Sequence, residues 1–258
     1  MRQALRALDG ESPLRRGEAE RSRAEVRLLA RSSWHETRPI GGPAGQGAFL
    51  NGAATIATEL APADLVQYLL AIERSAGRER HQRWDARPLD LDLLVYGETV
   101  VDEPDLRAPH PRMHGRRFVL DPAAEIAAAM RDPESGWTVG ALARHLHQGS
   151  RRIGVADVSA PRAARLAELL RQRFSGPIDL VGGCGAALWE TEGVDRPRLV
   201  LACDRLSAEG DAFFCAGLSP VERRRMLGLP PLGPVVWLDP DWERMVVEAA
   251  AAVESSGL

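Results

Sequence analysis

Two aspartates, Asp90 and Asp92, stand two residues apart in the apolar run Leu89-Asp90-Leu91-Asp92-Leu93-Leu94-Val95-Tyr96. Just before it lies an arginine-rich stretch with Arg78, Arg80, Arg83, Trp84 and Arg87. On a β-strand successive side chains point to opposite faces, so the two carboxylates share one face and Leu89, Leu91 and Leu93 the other. Their Cα atoms would be about 7 Å apart, and the charges repel unless something positive lies between them. A pair of Mg²⁺ ions suits that gap, because hard cations take carboxylate and phosphate oxygens together. The flanking arginines would grip the rest of a polyphosphate. A half-buried strand with a solvated acidic face also carries Asp-x-Asp. The arginine cluster is what points to a nucleotide site.

The chain has 258 residues and a formal net charge of −3, enough length for two modest domains. No apolar run reaches the roughly 20 residues of a membrane span, and the Arg- and Glu-rich N-terminus has no signal-peptide core. The near-neutral charge argues against a nucleic-acid module. Cys184, Cys203 and Cys215 are odd in number and lack a Cys-x-x-Cys spacing, so they read as small buried hydrophobes of a cytoplasmic protein. All 33 basic residues are arginine. A Walker-A lysine, a Schiff base and a lysine general base are thereby excluded from the chain. Phosphate contacts must come from Arg forks, backbone N–H groups, His or metal. The oligomeric state is not legible.

From Ser32 to Leu146 the chain resembles the 6-hydroxymethyl-7,8-dihydropterin pyrophosphokinases. The resemblance is carried by Ser-Ser-Trp-His-Glu-Thr-Arg-Pro-Ile at 32–40, Gly47-Ala48-Phe49-Leu50-Asn51 and Ile72-Glu73-Arg74. It continues through Gly77-Arg78-Glu79-Arg80, Arg83-Trp84 and Arg87-Pro88-Leu89-Asp90-Leu91-Asp92. Pro109-His110-Pro111-Arg112-Met113 and Arg116-Arg117-Phe118-Val119-Leu120 close the series. Their order makes the match specific where no single block would. It implies transfer of a diphosphate from ATP to a pterin alcohol, with ATP as co-substrate and Mg²⁺ held by Asp90 and Asp92. It places Arg78 and Arg87 at the reacting phosphates, and Glu73, Arg80, Trp84, His110 and Arg116 on the ATP side. Glu73 could equally be an exposed helix carboxylate paired with an arginine, Trp84 a core residue and His110 a structural loop histidine. For the pterin it implies Asn51 reading the polar edge, Phe118 stacking on the ring, and Thr37, Pro39, Ile40 and Phe49 lining the pocket. His35, His114, His145 and His147 read as surface or capping residues.

The elements that must position these groups follow from periodicity. Residues 2–8 read as the end of a helix, and 11–23 as an exposed insertion. Strands are expected at Val26–Trp34, Phe49–Ala57 and Leu89–Tyr96, and helices at Ala63–Ser75, Ala123–Met130 and Val139–His147. The implied fold is α+β: a ferredoxin-like, mostly antiparallel sheet with helices over residues 1–148. After Gly149 come short apolar runs of the kind buried in a parallel sheet, at Arg152–Val158, Ile178–Val181, Leu199–Cys203 and Val235–Leu238. Helices are expected at Ala160–Arg173 and Asp241–Val253, with another opening at the capping box Ser219-Pro220-Val221-Glu222. This second unit, 149–258, reads as a small Rossmann-like or P-loop-like α/β domain. Its turn Asp157-Val158-Ser159-Ala160-Pro161 has no glycine and no lysine, so a functional P-loop is absent. Gly182-Gly183-Cys184-Gly185 reads as a turn.

The family pattern opens with an apolar strand ending in Gly-Ser-Asn, and this chain starts at Met1 within the helix that should follow it. Without that strand, Leu89–Tyr96 is expected to lack a ladder partner along one edge. Either an upstream start supplies the strand, or the chain is an inactive relative kept as a binding protein.

Overall fold

The computed structural model of the chain describes residues 26–40, 47–76, 89–103, 105–157, 160–174, 179–182, 197–203, 219–227, 229 and 233–257. The segments expected at 2–8 and 11–23, and most of the Gly182–Gly185 turn, lie outside these.

The N-terminal half is mixed α and β, built from small antiparallel pairs. Strand β1 (Val26–Arg31) pairs with β4 (Ala54–Thr58), and β2 (His35–Thr37) with β3 (Phe49–Asn51). The single strand expected over Phe49–Ala57 is thus broken at Gly52-Ala53. Two contacts explain the break. The Ala53 N–H donates to the Ser32 hydroxyl at 2.9 Å, and a Cβ at position 52 would sit 2.8 Å from the Trp34 ring. Only glycine lets the backbone pass that close to the indole. Helix α1 (Pro62–Ser75) starts on a proline and buries Leu65, Tyr68, Leu69 and Ile72, one face at helical spacing. These residues pack with Val26 and Leu89, flanked by Ile56, Leu91 and Leu93.

The expected strand at Leu89–Tyr96 requires correction. Among the described residues no ladder runs along Leu89–Val95, and only Tyr96 bridges to Thr99. The segment is held by other means. The Leu91 N–H donates to the Glu73 carboxylate at 2.7 Å, and the Leu94 carbonyl accepts from the His110 N–H at 2.8 Å. The alternation survives: Leu89 is buried while Asp90 and Asp92 are exposed. After the hairpin of β5 (Val101–Glu103) and β6 (Leu106–Ala108) comes a 3₁₀ turn, Met113–Gly115. Helix α2 (Arg117–Ala127) begins six residues before the start expected at Ala123, because extended Arg116 is its cap and Pro122 lies inside it. Helix α3 (Val139–Gln148) opens on Thr138, whose hydroxyl accepts the Ala141 N–H at 3.2 Å. Met113, Leu120, Leu142 and Leu146 form the core these elements share.

The C-terminal half carries a parallel four-stranded sheet in the order β10-β9-β7-β8. Its strands are β7 (Ser150–Asp157), β8 (Asp179–Gly182), β9 (Pro197–Cys203) and β10 (Val236–Trp237). One face, with Ile153, Val155, Leu199, Leu201 and Val236, is covered by α4 (Ala160–Arg173) and α6 (Trp242–Ser255). The other, with Ala156, Val200, Ala202 and Trp237, packs on Leu227 and Leu229 beyond α5 (Pro220–Met226). Burial on both faces is why these strands read as unbroken apolar runs. The capping box at Ser219 is complete, with Glu222 accepting the Ser219 N–H at 2.7 Å. Cys203 is buried, as expected for a small hydrophobe. Among the described residues no helix is long and apolar enough to cross a membrane.

The two halves meet at the 3₁₀ turn. A Cβ at Gly115 would lie 3.0 Å from Val236 and 3.1 Å from Leu199, so the turn sits directly on the parallel sheet. His114, expected at the surface, is buried here. Its Nε2 donates to Asp132 at 2.6 Å and its Nδ1 to the Val235 carbonyl at 2.7 Å. Burial pushes His114 down, but the Asp132 hydrogen bond and charge, with Val235, outweigh it and hold the imidazolium above its ordinary value. Asp132 lies below its own: burial raises it, but the His114 hydrogen bond and charge, then the Ser135 side chain and the Glu134 N–H, outweigh burial.

A raised histidine stabilises the fold fully below its unfolded pKa and loses that effect as pH rises through the folded one. A lowered aspartate stabilises above its unfolded pKa and loses that effect as pH falls. The pair therefore contributes most between about pH 4 and 6.5. Asp132→Ala is expected to cost about 3–5 kcal/mol at pH 6, as for a buried pair with one partner removed. Calorimetric melts should show the gap between wild type and Asp132→Ala narrowing from pH 6 to pH 9; a constant gap would refute the charged pair.

Candidate functional site

Asp90 and Asp92 project from the outer side of the Leu89–Val95 segment, and the Pro109–Arg116 loop closes against it. His110 faces the pair, with Nε2 3.9 Å from Asp92 Oδ2. Burial, then the charges of Arg116 and Arg112, pull its pKa down to about 3, so the ring is neutral and the contact is no ion pair. Nδ1 accepts the Arg112 N–H at 3.1 Å, which leaves the ring proton on Nε2, facing the carboxylate. Arg116 is lowered from its ordinary value by burial and by Arg112, while Asp92, Glu248 and Asp90 pull it the other way. Arg116 therefore feels both aspartates. Its guanidinium lies over the Phe118 ring, 5.6 Å from the centroid.

Glu73 is placed differently from the exposed helix carboxylate that was one of its two readings. It is buried beneath the segment, where it accepts the Leu91 N–H. It orients the backbone between the two aspartates. Arg78, Arg80, Trp84 and Arg87 lie outside the described residues.

The second cluster lies on the β2–β3 hairpin. Asn51 Nδ2 donates to Thr37 Oγ1 at 2.7 Å across the ladder, which fixes the amide's orientation. Phe49 is 39% exposed, a ring not used in the core. Pro39 and Ile40 follow β2 half-buried. Glu125 of α2 ties the hairpin to the helix that carries Phe118. It accepts from the Ser33 N–H and hydroxyl, both at 2.7 Å, and from His35 Nε2 at 2.6 Å. Those donors hold the Glu125 carboxyl down at about 2. The fold thus gathers a carboxylate pair, a neutral histidine, an arginine on an aromatic ring, and an amide beside an exposed phenyl.

Residues 4–128 match the family model of 7,8-dihydro-6-hydroxymethylpterin-pyrophosphokinase (HPPK). The chain is 43% identical over 129 residues to the 2-amino-4-hydroxy-6-hydroxymethyldihydropteridine pyrophosphokinase of Pseudomonas aeruginosa, covering 50% of this chain and 79% of that protein. The chain belongs to this family. The pyrophosphokinase of the same name from Haemophilus influenzae is 40% identical over 112 residues, 43% of this chain and 69% of that protein. For that of Synechocystis the identity is 46% over 108 residues, and the chain spans about half, 54%, of the relative. Within the pyrophosphokinase match fall Thr37, Asn51, Glu73, Asp90, Asp92, His110, Arg116 and Phe118. Residues 129–258 lie beyond it.

Sequence reasoning missed three residues around this site. Glu125 lies about 90 residues from its partners, and its only sign was an unpaired glutamate in an apolar helix. Arg112 and Glu248, joined at 2.7 Å, stand 136 positions apart, and no local pattern signals such a pair.

Removing the Glu73 acceptor leaves the Leu91 N–H without that partner, at about 1–3 kcal/mol for a buried group. Glu73→Leu should lose about that much stability in urea unfolding, and Glu73→Gln, which keeps an acceptor oxygen, clearly less. Equal losses would remove Glu73 from its place as the segment's anchor.

Proposed function

We propose that the chain transfers a diphosphate from ATP to 6-hydroxymethyl-7,8-dihydropterin, giving AMP and the pterin diphosphate, a step of folate biosynthesis in the cytoplasm. The observation that carries it is the exposed Asp90–Asp92 pair, fixed from beneath by Glu73 and faced by His110 and Arg116, in a chain of the pyrophosphokinase family. Its partners on this reading are the two small molecules, ATP and the pterin.

The donor set suits Mg²⁺. Among the described residues no group of three or more His, Cys, Asp or Glu could hold an ion by itself, and Mg²⁺ is typically bound by one or two carboxylates with substrate phosphates completing its shell. Asp90 and Asp92 would hold two such ions, which neutralise charge on the phosphate oxygens when bound.

Chemically, the pterin hydroxyl oxygen forms a bond to the β-phosphorus of ATP and loses its proton to solvent. The bond from that phosphorus to the oxygen bridging the α-phosphorus breaks, and AMP leaves with the electron pair. The protein's part in such a transfer is mainly positioning and electrostatics. Arg116 supplies fixed positive charge to the triphosphate, and neutral His110 donates a hydrogen bond from Nε2. Arg78 and Arg87 act at the reacting phosphates, with Arg80 and Trp84 on the ATP side and Glu73 holding the aspartate segment from beneath. Asn51, oriented by Thr37, reads the pterin edge. Phe118, backed by Arg116, stacks on the ring, and Phe49, Pro39 and Ile40 close the pocket.

Residues 1–148 form the pyrophosphokinase unit on this reading, ferredoxin-like in plan. Residues 149–258 form a Rossmann-like or P-loop-like unit that binds no nucleoside triphosphate through a P-loop.

Incubation with ATP, Mg²⁺ and the pterin should release AMP in step with pterin consumption; ADP release would sink the reading. Asp90→Ala and Asp92→Ala should each lower kcat at least about a hundredfold. Their melting temperatures should barely move, because both carboxylates are exposed.

A further inference from the structure

The Pro109–Arg116 loop, which carries His110 and Arg116, is held in part by the C-terminal unit. The Trp237 N–H donates to the Pro111 carbonyl at 3.1 Å, and the Ser255 hydroxyl to the Gly115 carbonyl at 2.8 Å. His114 reaches the Val235 carbonyl. These contacts seat the loop's backbone. One further contact reaches a side chain beside the nucleotide groups: Glu248 of α6 accepts from Arg112 Nη1 at 2.7 Å.

The direction of control is readable from Glu248's two oxygens. Oε2 accepts the Asp239 N–H at 2.9 Å, a bond wholly within the C-terminal unit. The carboxylate is therefore oriented before it meets Arg112, and only 12% of its side chain is exposed. Arg112 in turn links outward to the site, since its N–H donates to His110 Nδ1. A chain of bonds thus runs from Asp239 through Glu248 and Arg112 to the imidazole that faces Asp92.

We propose that Glu248 is a positioning residue of the nucleotide site, holding Arg112 beside His110 and Arg116 so that its guanidinium joins the positive charge that receives the triphosphate. This inference rests on the pyrophosphokinase reading, and gives the C-terminal unit a part in the reaction without a ligand of its own. Glu248 serves two ends at once. It partly offsets the repulsion between Arg112 and Arg116, which lie close enough for each charge to be felt, and it prevents Arg112 from swinging into solvent. Its pairing with Arg112 leaves 39% of the Arg112 side chain accessible, and on this proposal that accessible part meets phosphate.

The test is a double-mutant cycle on the full chain, read by calorimetric titration with a non-hydrolysable ATP analogue and Mg²⁺, and by the KM for each substrate. Glu248→Ala and Arg112→Ala should each weaken the analogue about tenfold, about 1.4 kcal/mol. The double variant should be no worse than either single one, and the KM for the pterin should stay within about twofold in all three. Unchanged analogue affinity in Glu248→Ala, additive losses in the double variant, or equal rises in both KM values would overturn the proposal. Should Glu248→Ala melt out, Arg112→Ala decides alone, because its half-exposed side chain can be cut without opening the core. Wild type that releases AMP while Glu248→Ala binds ATP analogue normally defeats this inference only. Wild type that neither binds the analogue nor releases AMP defeats the pyrophosphokinase reading and this inference with it.

Discussion

One bond governs the candidate site: the Leu91 N–H to the buried Glu73 carboxylate. Asp90 and Asp92 repel one another and are exposed. What holds them is the backbone between them and the leucines beneath. Leu89, Leu91 and Leu93 pack on the α1 cluster, and the carboxylates can only point away from it. Without the Glu73 acceptor, the buried side of Leu91 would carry a donor with its ladder partner missing among the described residues. A side chain from α1 thus does locally what a neighbouring strand does in a sheet. Because α1 also packs on β1, the aspartates are referred to the same body as the hairpin that carries Asn51.

Most helices were legible because their signals are local. The expected span Ala160–Arg173 matches α4, and the capping box at Ser219 and the helix entry at Asp241 fall where short-range chemistry puts them. Strand faces were legible too. The alternation of leucine and aspartate at 89–92 gave the correct inner and outer sides. Pairing was not, since it depends on residues far away in sequence. Nothing local distinguishes an extended segment held by a strand from one held by a glutamate and a loop. The break at Gly52 has the same origin: it depends on Trp34, whose ring occupies the space a side chain would need.

The candidate site was legible as a set of ordered blocks and illegible as an architecture. Asp90, Asp92, His110 and Arg116 could be named from their motifs, and the fold brings them within each other's field. His114, one residue past the Pro109–Met113 block, looked like one more surface or capping histidine. Its burial follows from Asp132 and Val235, 18 and 121 positions away, outside the pattern that made the blocks recognisable. A residue's environment is set by what docks on it, and here the docking surface includes Leu199, Val235 and Val236 of the parallel-sheet half.

The absence of lysine bears on how that docking is made. Arg223 and Arg224 are almost wholly buried, the first paired with Asp102 at 2.9 Å and the second donating to the Gly233 carbonyl at 2.7 Å. An ammonium is strongly hydrated and would resist such burial, whereas a guanidinium is weakly hydrated and can lie flat on a ring. Arg223 does so over Trp237, at 5.5 Å, as Arg165 does over Trp242, at 4.5 Å. The same Trp237 donates its backbone N–H to Pro111 and its indole N–H to Glu134. Arginine burial, tryptophan stacking and the seating of the Pro109–Arg116 loop are therefore one packing arrangement. Its consequence is that the loop carrying His110 and Arg116 packs partly on residues more than 100 positions beyond it, in a part of the chain that the family pattern does not reach.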